Sequence, residues 1–492
     1  MRQLIARHKY IFLAGALAGL LLRLLFLFRW PHVQGDSLIY IDIAKNWLLQ
    51  GIYGMTEAGG VAVPTYIRLP GYPAFLAASF ALFGIESLRA VLVLQSIADL
   101  ATCFVVAAIA YETFAGKPWR DAAAIATFLL AALCPFTANY AALPLTEALE
   151  MLCTALAILF AVRGVKAFSA GSEHNTAQLN SAQLAAQSHP HTWVACGLAI
   201  GGAIMLRPDG GLLLITVGIY LLSLLWRTAR AKSPKAQTDL RQIVIAGLLV
   251  TAFAFSPMVP WATRNWRTFH EFRPLVPRYT TEASEYIPVG FIRWMKTWTM
   301  DYVSVEDVGF KISADSPGEA VEVQKLPTRA FDSDQERAQT AEIFNEFNQT
   351  LILTPEADAK FLALANERIA HSHFRYYVWL PLARLGDMWL RPRTEMLPLE
   401  QRWWEFQDGT ESAISIGFAG LNLLLLLAAA IAAARFRHVP GYGMMMGFVA
   451  LRSLFLMTIE NPEPRYTLEC YPVVFVFAGA ALAWMVRKDI DG

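Results

Sequence analysis

Long uninterrupted apolar runs constrain this chain more than any other feature. The first, Tyr10 to Phe28, reads YIFLAGALAGLLLRLLFLF. A run of about 18 or more apolar residues can cross the ~30 Å hydrocarbon core of a bilayer as a helix. Lipid offers no partners for backbone N–H and C=O groups, so a crossing segment must satisfy them internally. A β-barrel would instead show short alternating segments, and none dominate here. About ten spans are expected, near 10–28, 88–110, 121–138, 144–163, 193–208, 211–227, 242–262, 412–434, 441–459 and 467–486. The fold class predicted is an all-α polytopic membrane protein. Composition agrees, with 55% hydrophobic and 16% charged residues, where soluble domains hold about a quarter charged. A net charge of +1 leaves no nucleic-acid footprint. The cysteines at 103, 134, 153, 196 and 470 lie in or beside apolar runs without metal-ligand spacing. They read as small core residues, not as a disulfide framework. MRQLIARHKY leads into the first run with no small-residue cleavage site after it, which reads as an uncleaved span.

The spans divide the chain into an N-terminal membrane module, 1–262, a mixed segment, 263–411, and C-terminal helices, 412–492. The module contains a long first outer loop, 29–87, in which GYPAFLAASFALFG is an apolar helix too short to cross. Basic residues set the orientation. Arg2, Arg7 and Lys9 precede span one, Lys117 and Arg120 follow span two, and Arg163 and Lys166 follow span four. Arg227, Arg230, Lys232, Lys235 and Arg241 join spans six and seven; Arg435 and Arg437 follow span eight, and Arg487 and Lys488 the last. Ten spans put all of these on the cytoplasmic side. FRYYVWLPLARLGDMWL, 374–390, carries Arg375, Arg384 and Asp387 and is expected to lie at the interface rather than span. The stretch 168–192, rich in Ala, Gln and Ser, reads as a solvated linker, although His174, His189 and His191 have metal-binding chemistry. Asn348 opens an NQT triplet, a sequon only in a glycosylating host.

The sharp polar residues fall on the outer side. Asp36 sits in WPHVQGDSLIYIDIAKNWLLQGIYG, just past span one. From Ser37 to Leu49 the apolar spacing is helical, with Asp42, Lys45 and Asn46 on one face. Asp36 is then either the N-cap of an interfacial helix, or a general base or metal ligand at the lipid–water boundary. Glu147 opens the fourth span in LPLTEALEM, where an acid suits the helix dipole. Acids at membrane depth are also costly and usually functional. Two acids facing one cavity suit a divalent cation or the deprotonation of an acceptor hydroxyl. Arg68, Arg207, Arg264 and Arg465 stand at outer ends of spans or interfacial helices, against the positive-inside trend. Singly each could snorkel. Together they suit phosphate oxygens, which the planar guanidinium fork matches.

These features resemble the bacterial glycosyltransferases of the GT-C superfamily, in the branch of the protein O-mannosyltransferases and the lipid A aminoarabinose transferase. RLPGYPAFLAASFALFG is similar to that family's proline-rich second interfacial segment, and LPLTEALEMLCTALAILFA to its acidic turn. GLAIGGAIMLRPDGGLLL, SPMVPWATRNWRTFHEF and NPEPRYTLECYPVVFVFAG follow in the family's order. The likeness covers about two thirds of the chain and misses 168–192 and most of 280–400. It implies an inverting transferase in the cytoplasmic membrane of a bacterium. The donor implied is a sugar on a polyprenyl phosphate, and the acceptor a glycan, lipid or protein on the extracytoplasmic side. It implies Asp36 as the base and Glu147 as the second acidic position, sharing a divalent cation in some members. Arg68, Tyr72, Arg207, Asp209, Arg264, Arg465 and Tyr466 are implied for donor phosphate and substrate. Many relatives carry Asp-Glu where this chain has Asp36-Ser37, which weakens the metal more than the base. The competing reading is a transporter or flippase of lipid-linked glycan, which should show paired repeats with mid-membrane polar breaks. No internal repeat is visible in the sequence.

Overall fold

The computed structural model describes all residues except 31, 32, 34, 58, 174–189, 231–235, 278–285, 313–317, 406–407 and 492. His174, His189, Lys232 and Lys235 therefore lie outside the described residues. The chain forms two compact units. One comprises 1–276, 421–451 and 468–492, and the other 277–420 and 452–467.

The first unit begins with a short helix α1 (Arg2–Arg7) and the long apolar α2 (Lys9–Arg29). The outer loop then folds into α3 (Asp36–Gln50), a hairpin of β1 (Gly54–Thr56) and β2 (Ala62–Pro64), and α4 (Gly71–Phe83). The hairpin pairs Gly54 with Pro64 in antiparallel register. Its turn uses Gly59 and Gly60 at φ of 101° and 80°, the left-handed region that glycine enters without strain. The polar face of α3 holds it in place: Asp42 accepts from the Thr56 amide at 2.7 Å, and Asn46 donates to the Gly54 carbonyl at 3.0 Å.

Then come α5 (Leu88–Thr113), α6 (Arg120–Ala132), α7 (Pro135–Ala141), α8 (Glu147–Glu173), α9 (Pro190–Leu206), α10 (Gly211–Arg230), α11 (Ala236–Phe255) and α12 (Met258–Phe269). Helices α6, α5, α8, α9 and α11 pack in that succession, with α5 between α6 and α8. Their apolar sides do not bury only apolar groups. Arg23, fully buried on α2, donates to Asp99 on α5 at 2.8 and 2.5 Å and to the Ala132 carbonyl at the end of α6. Salt bridges join Arg7 to Asp121 and Glu112 to Arg163 and Lys166. The basic residues flanking α1, α6 and α8 thus gather with the end of α5.

The second unit contains α13 (Val289–Lys296), α14 (Tyr302–Asp307), α15 (Asp334–Thr350), α16 (Pro355–His371) and α17 (Leu380–Leu390). Its core packs Phe291, Trp294, Trp298, Phe344 and Phe361. Asp358 of α16 accepts from the Gly290 and Phe291 amides, supplying the start of α13 with the partners that helix geometry leaves wanting. Ser333 and Thr354 cap α15 and α16. Asn348 of the NQT triplet bonds both backbone groups of Val321. The 374–390 stretch is a π-helical turn, Arg375–Trp379, running into α17. It exposes Phe374, Tyr377, Trp379 and Leu382 and buries Leu380, Arg384 and Met388, the two-sided character of an interfacial helix.

Three helices complete the chain: α18 (Gly409–Arg435), α19 (Tyr442–Leu456) and α20 (Tyr471–Asp491). Helix covers most of each of the ten expected stretches, with breaks inside 121–138 and 242–262. Among the described residues seven helices are long and apolar enough to cross a membrane, and α6 with α7 forms an eighth segment bent by 56°. The bend falls where Pro135 restricts Cys134 to an extended conformation, φ −69° and ψ 114°. The remaining two, α9 and α19, are apolar helices of 17 and 15 residues.

Candidate active site

Asp36 is the first helical residue of α3, not its cap. The cap position is Gly35 at φ 55°, without a side-chain cap bond. The N-cap alternative is not met, because Gly35 takes the cap position and leaves Asp36 in the first turn, where its charge still suits the helix dipole. The Asp36 carboxylate instead meets Arg68, whose Nη2 donates to Oδ1 at 2.7 Å. Arg68 also lies over the Tyr40 ring, and its backbone carbonyl accepts from the Tyr53 hydroxyl at 2.9 Å. The pair is not sealed: the Asp36 side chain is 32% exposed and that of Arg68 13%.

Glu147 begins α8, as the dipole argument expects. It is 1% exposed and stands 3.4 Å from Arg207. The same guanidinium lies 3.5 Å from Glu150 and 3.3 Å from Asp209, and Glu469 lies within its electrostatic range. Arg207 is thus compensated by acids from three elements, the start of α8, its own Arg-Pro-Asp turn, and the segment before α20. Nearly any other charge balance would be costly in so dry a place.

Tyr40 of α3 joins the two groups. Burial, then the Asp36 charge, pushes its phenol up to about 12, with Arg68, Arg207 and Glu147 also acting on it. It stays a neutral hydroxyl between an exposed acid–arginine pair and a buried one. The structure therefore brings together Asp36, Arg68, Glu147, Arg207 and Asp209. One backbone approach and one hydrogen-bond relay tie the elements that carry them. A Cβ on Gly71, at the start of α4, would sit 2.5 Å from the Met205 carbonyl oxygen at the end of α9, so only glycine permits this contact. Fully buried Tyr72 donates to Gln95 at 2.9 Å, and Gln95 donates to the Leu143 carbonyl in the turn that leads to Glu147.

Arg264 of α12 is turned to a different task. It donates to the carbonyls of Thr65 and Tyr53 at 2.7 and 2.6 Å, and lies over Tyr53, Trp261 and Phe269. It clasps the two ends of the hairpin. Arg465 and Tyr466 belong to the second unit, where both bond Glu463, at 2.6 and 2.7 Å. The reading of the sequence passes over Tyr40 and Gln95. Gln95 had a signal, a polar side chain inside an apolar run; Tyr40 had none, because an aromatic on an amphipathic helix reads as packing.

The arrangement does not suit a divalent cation. Among the described residues no three His, Cys, Asp or Glu side chains are placed to hold a metal ion, and the acids that gather around Arg207 are compensated by its guanidinium. Asp36 is already met by Arg68, and Glu147 by Arg207. Guanidinium groups supply the positive charge here.

No known family profile and no curated protein matches the chain. Solved structures do. The archaeal oligosaccharyltransferase AglB from Archaeoglobus fulgidus, in complex with an inhibitory peptide and a dolichol-phosphate, superposes with a TM-score of 0.50 and 13% identity. The match covers 98% of this chain and 50% of that one, so this chain spans about half the length of the oligosaccharyltransferase. ArnT from Cupriavidus metallidurans bound to undecaprenyl phosphate gives a TM-score of 0.37 and 14% identity, over 95% of this chain and 77% of that one. The first likeness is one of fold, that of an all-α polytopic membrane protein.

Proposed function

We propose that this protein transfers a sugar from a polyprenyl-phosphate donor to an acceptor hydroxyl at the membrane face that carries Asp36. The observation that carries the reading is the Asp36–Arg68 pair. It is a part-exposed carboxylate beside a guanidinium, a group whose planar fork suits phosphate oxygens, at the start of an amphipathic helix next to the first span. The dolichol-phosphate bound to the archaeal oligosaccharyltransferase supports a lipid phosphate as the donor. The gathering of Arg7, Arg163 and Lys166 at other span ends supports an extracytoplasmic site in the cytoplasmic membrane of a bacterium.

The chemistry follows from the pair. The lipid tail keeps the donor in the bilayer, with its phosphate at the depth of Arg68. Phosphate oxygens compete for that guanidinium and free the Asp36 carboxylate. The acceptor oxygen then attacks the anomeric carbon from the side opposite the phosphate. A carbon–oxygen bond forms there while the bond to the phosphate oxygen breaks. The electron pair stays on the phosphate, where positive charge stabilises it. Asp36 takes the acceptor proton, and the anomeric centre inverts. Glu147, Glu150 and Asp209 act as positioning residues that hold Arg207 beside Tyr40. Tyr72 and Arg264 serve the scaffold, through Gln95 and the hairpin. For Arg465 and Tyr466 we keep the donor-binding role that the resemblance implies, and Arg465→Gln tests it in a donor-binding assay.

The decisive experiment supplies membranes with a panel of radiolabelled polyprenyl-phosphate sugars and envelope extract as acceptor source. We expect one donor to be consumed, and Asp36→Asn to lower the rate by roughly 100-fold or more while the variant still binds donor. Full-rate turnover by Asp36→Asn would remove the base from Asp36. A wild type that moves labelled lipid across the bilayer without consuming it would favour the transporter.

A further inference from the structure

A groove of about 630 Å³ opens in the first unit, far from Asp36. Helix α8 carries Glu147 at its start and Val165, a groove residue, eighteen residues on. Helix α10 begins beside the Asp209 turn and reaches Arg227 at the groove mouth. At 1.5 Å per residue these separations are ~27 Å and ~24 Å, close to the ~30 Å of bilayer hydrocarbon. Groove and candidate active site therefore sit at opposite ends of the same two helices.

One side of the groove is the short helix α19, through Tyr442, Gly443, Gly447 and Leu451. Its 15 residues reach only ~22 Å. Its glycines keep the wall thin: a Cβ on Gly443 would lie 3.4 Å from Tyr220, and one on Gly447 3.5 Å from Thr216. The walls are apolar, from Ile219, Leu224, Val439 and Leu451. The mouth is basic, with exposed Arg227, Arg437 and His438, and no acid is among the described residues that line it. Trp226 beside the mouth is exposed under Arg230, 3.9 Å from its ring. Exposed tryptophan marks headgroup level in membrane proteins.

We propose that this groove binds one anionic phospholipid of the leaflet opposite the Asp36 site. Its acyl chains lie along the apolar walls, and its phosphate lies between Arg227 and Arg437. Charge complementarity selects the headgroup, as in other basic pockets between membrane helices. The apolar walls select a lipid over free phosphate, which would bury nothing against them. The donor lipid is a poorer fit, because its reacting sugar is needed at the far end of α8 and α10.

The test titrates delipidated full-length protein in detergent with phosphatidylglycerol, phosphatidylethanolamine or inorganic phosphate, read by native mass spectrometry. We expect at least tenfold tighter binding of phosphatidylglycerol than of phosphatidylethanolamine. Arg227→Gln/Arg437→Gln should abolish that preference. Gly447→Leu, which fills the groove without touching a charge, should weaken phosphatidylglycerol about tenfold. Both variants should keep the wild-type Tm in detergent, and if one does not fold the other decides. Equal binding of the two phospholipids, or a preference that survives in a folded variant, would overturn the proposal. So would displacement of phosphatidylglycerol by millimolar phosphate, which marks a headgroup-only site, or by polyprenyl phosphate, which marks a second donor site.

Discussion

Asp36 and Glu147 are two carboxylates put to different uses by their surroundings. Asp36 is part-exposed with one guanidinium against it, so a competing anion can uncover it. Glu147 is buried with Glu150 around Arg207, and removing either sign of charge leaves the other stranded. Arg207→Gln should therefore cost about 3–5 kcal/mol, the scale of breaking a buried pair from one side. Thermal unfolding in detergent checks this, with Asp36→Asn as the comparison. A Tm loss no larger for Arg207→Gln than for Asp36→Asn would mean that the acids do not depend on Arg207. At this scale the sequence was legible where a charge stood beside a span end, as Asp36, Arg68, Glu147 and Arg207 do. It was less legible inside the runs. Arg23 stands within the first quoted run, and its tie to Asp99 and the Ala132 carbonyl requires three helices that only the fold brings together.

Among elements, hydropathy located the apolar helices, because burying apolar surface is what lipid rewards, but among the described residues only seven, or eight with the bent pair, are long enough to cross where ten spans were expected. It could not show that one is bent, since a mean over a window is blind to a single dihedral, although Pro135 carries the signal. Nor did it show the hairpin after α3, which is short and held by side chains of that helix. The approach of α4 to α9 is the contact most open to test. Gly71→Ala places a methyl against the Met205 backbone, which has no rotamer by which to yield. Overpacking of this kind costs about 1–3 kcal/mol. We expect loss of donor turnover out of proportion to the fall in Tm, because the displaced segment carries Arg68. Unchanged turnover by Gly71→Ala would show that the Arg68 segment does not need this approach.

Across the whole molecule, burial shifts titrating groups in both units. In the second unit, burial raises Glu306 from 4.5 to about 7, against the opposing pull of Tyr302 and Arg391, with Asp307 and Glu395 nearby. Burial likewise raises Asp387 to about 6, against Arg391 and the Tyr302 amide. Both folded-state values lie above the unfolded ones, so the folded unit holds more protons between them. The stability these two groups contribute is then fullest below about pH 4 and is lost as pH rises through 6 and 7. Hydrogen exchange, corrected for intrinsic rate, should show α14 and α17 better protected at pH 5 than at pH 8. Glu306→Gln should remove most of the difference, and protection that rises with pH would refute the assignment.

The clasp of Arg68 on Asp36 makes the two substrates unequal in time. An acceptor that reaches the resting protein meets a carboxylate already engaged, whereas a donor phosphate competes for the clasp itself. On the proposed function the lipid must arrive first, and the reaction is kinetically ordered. An unreactive acceptor analogue should then inhibit uncompetitively with respect to the donor, since it binds only after the donor has opened the pair. Mixed or non-competitive inhibition, which requires the analogue to bind before the donor, would mean that Asp36 is available from the outset.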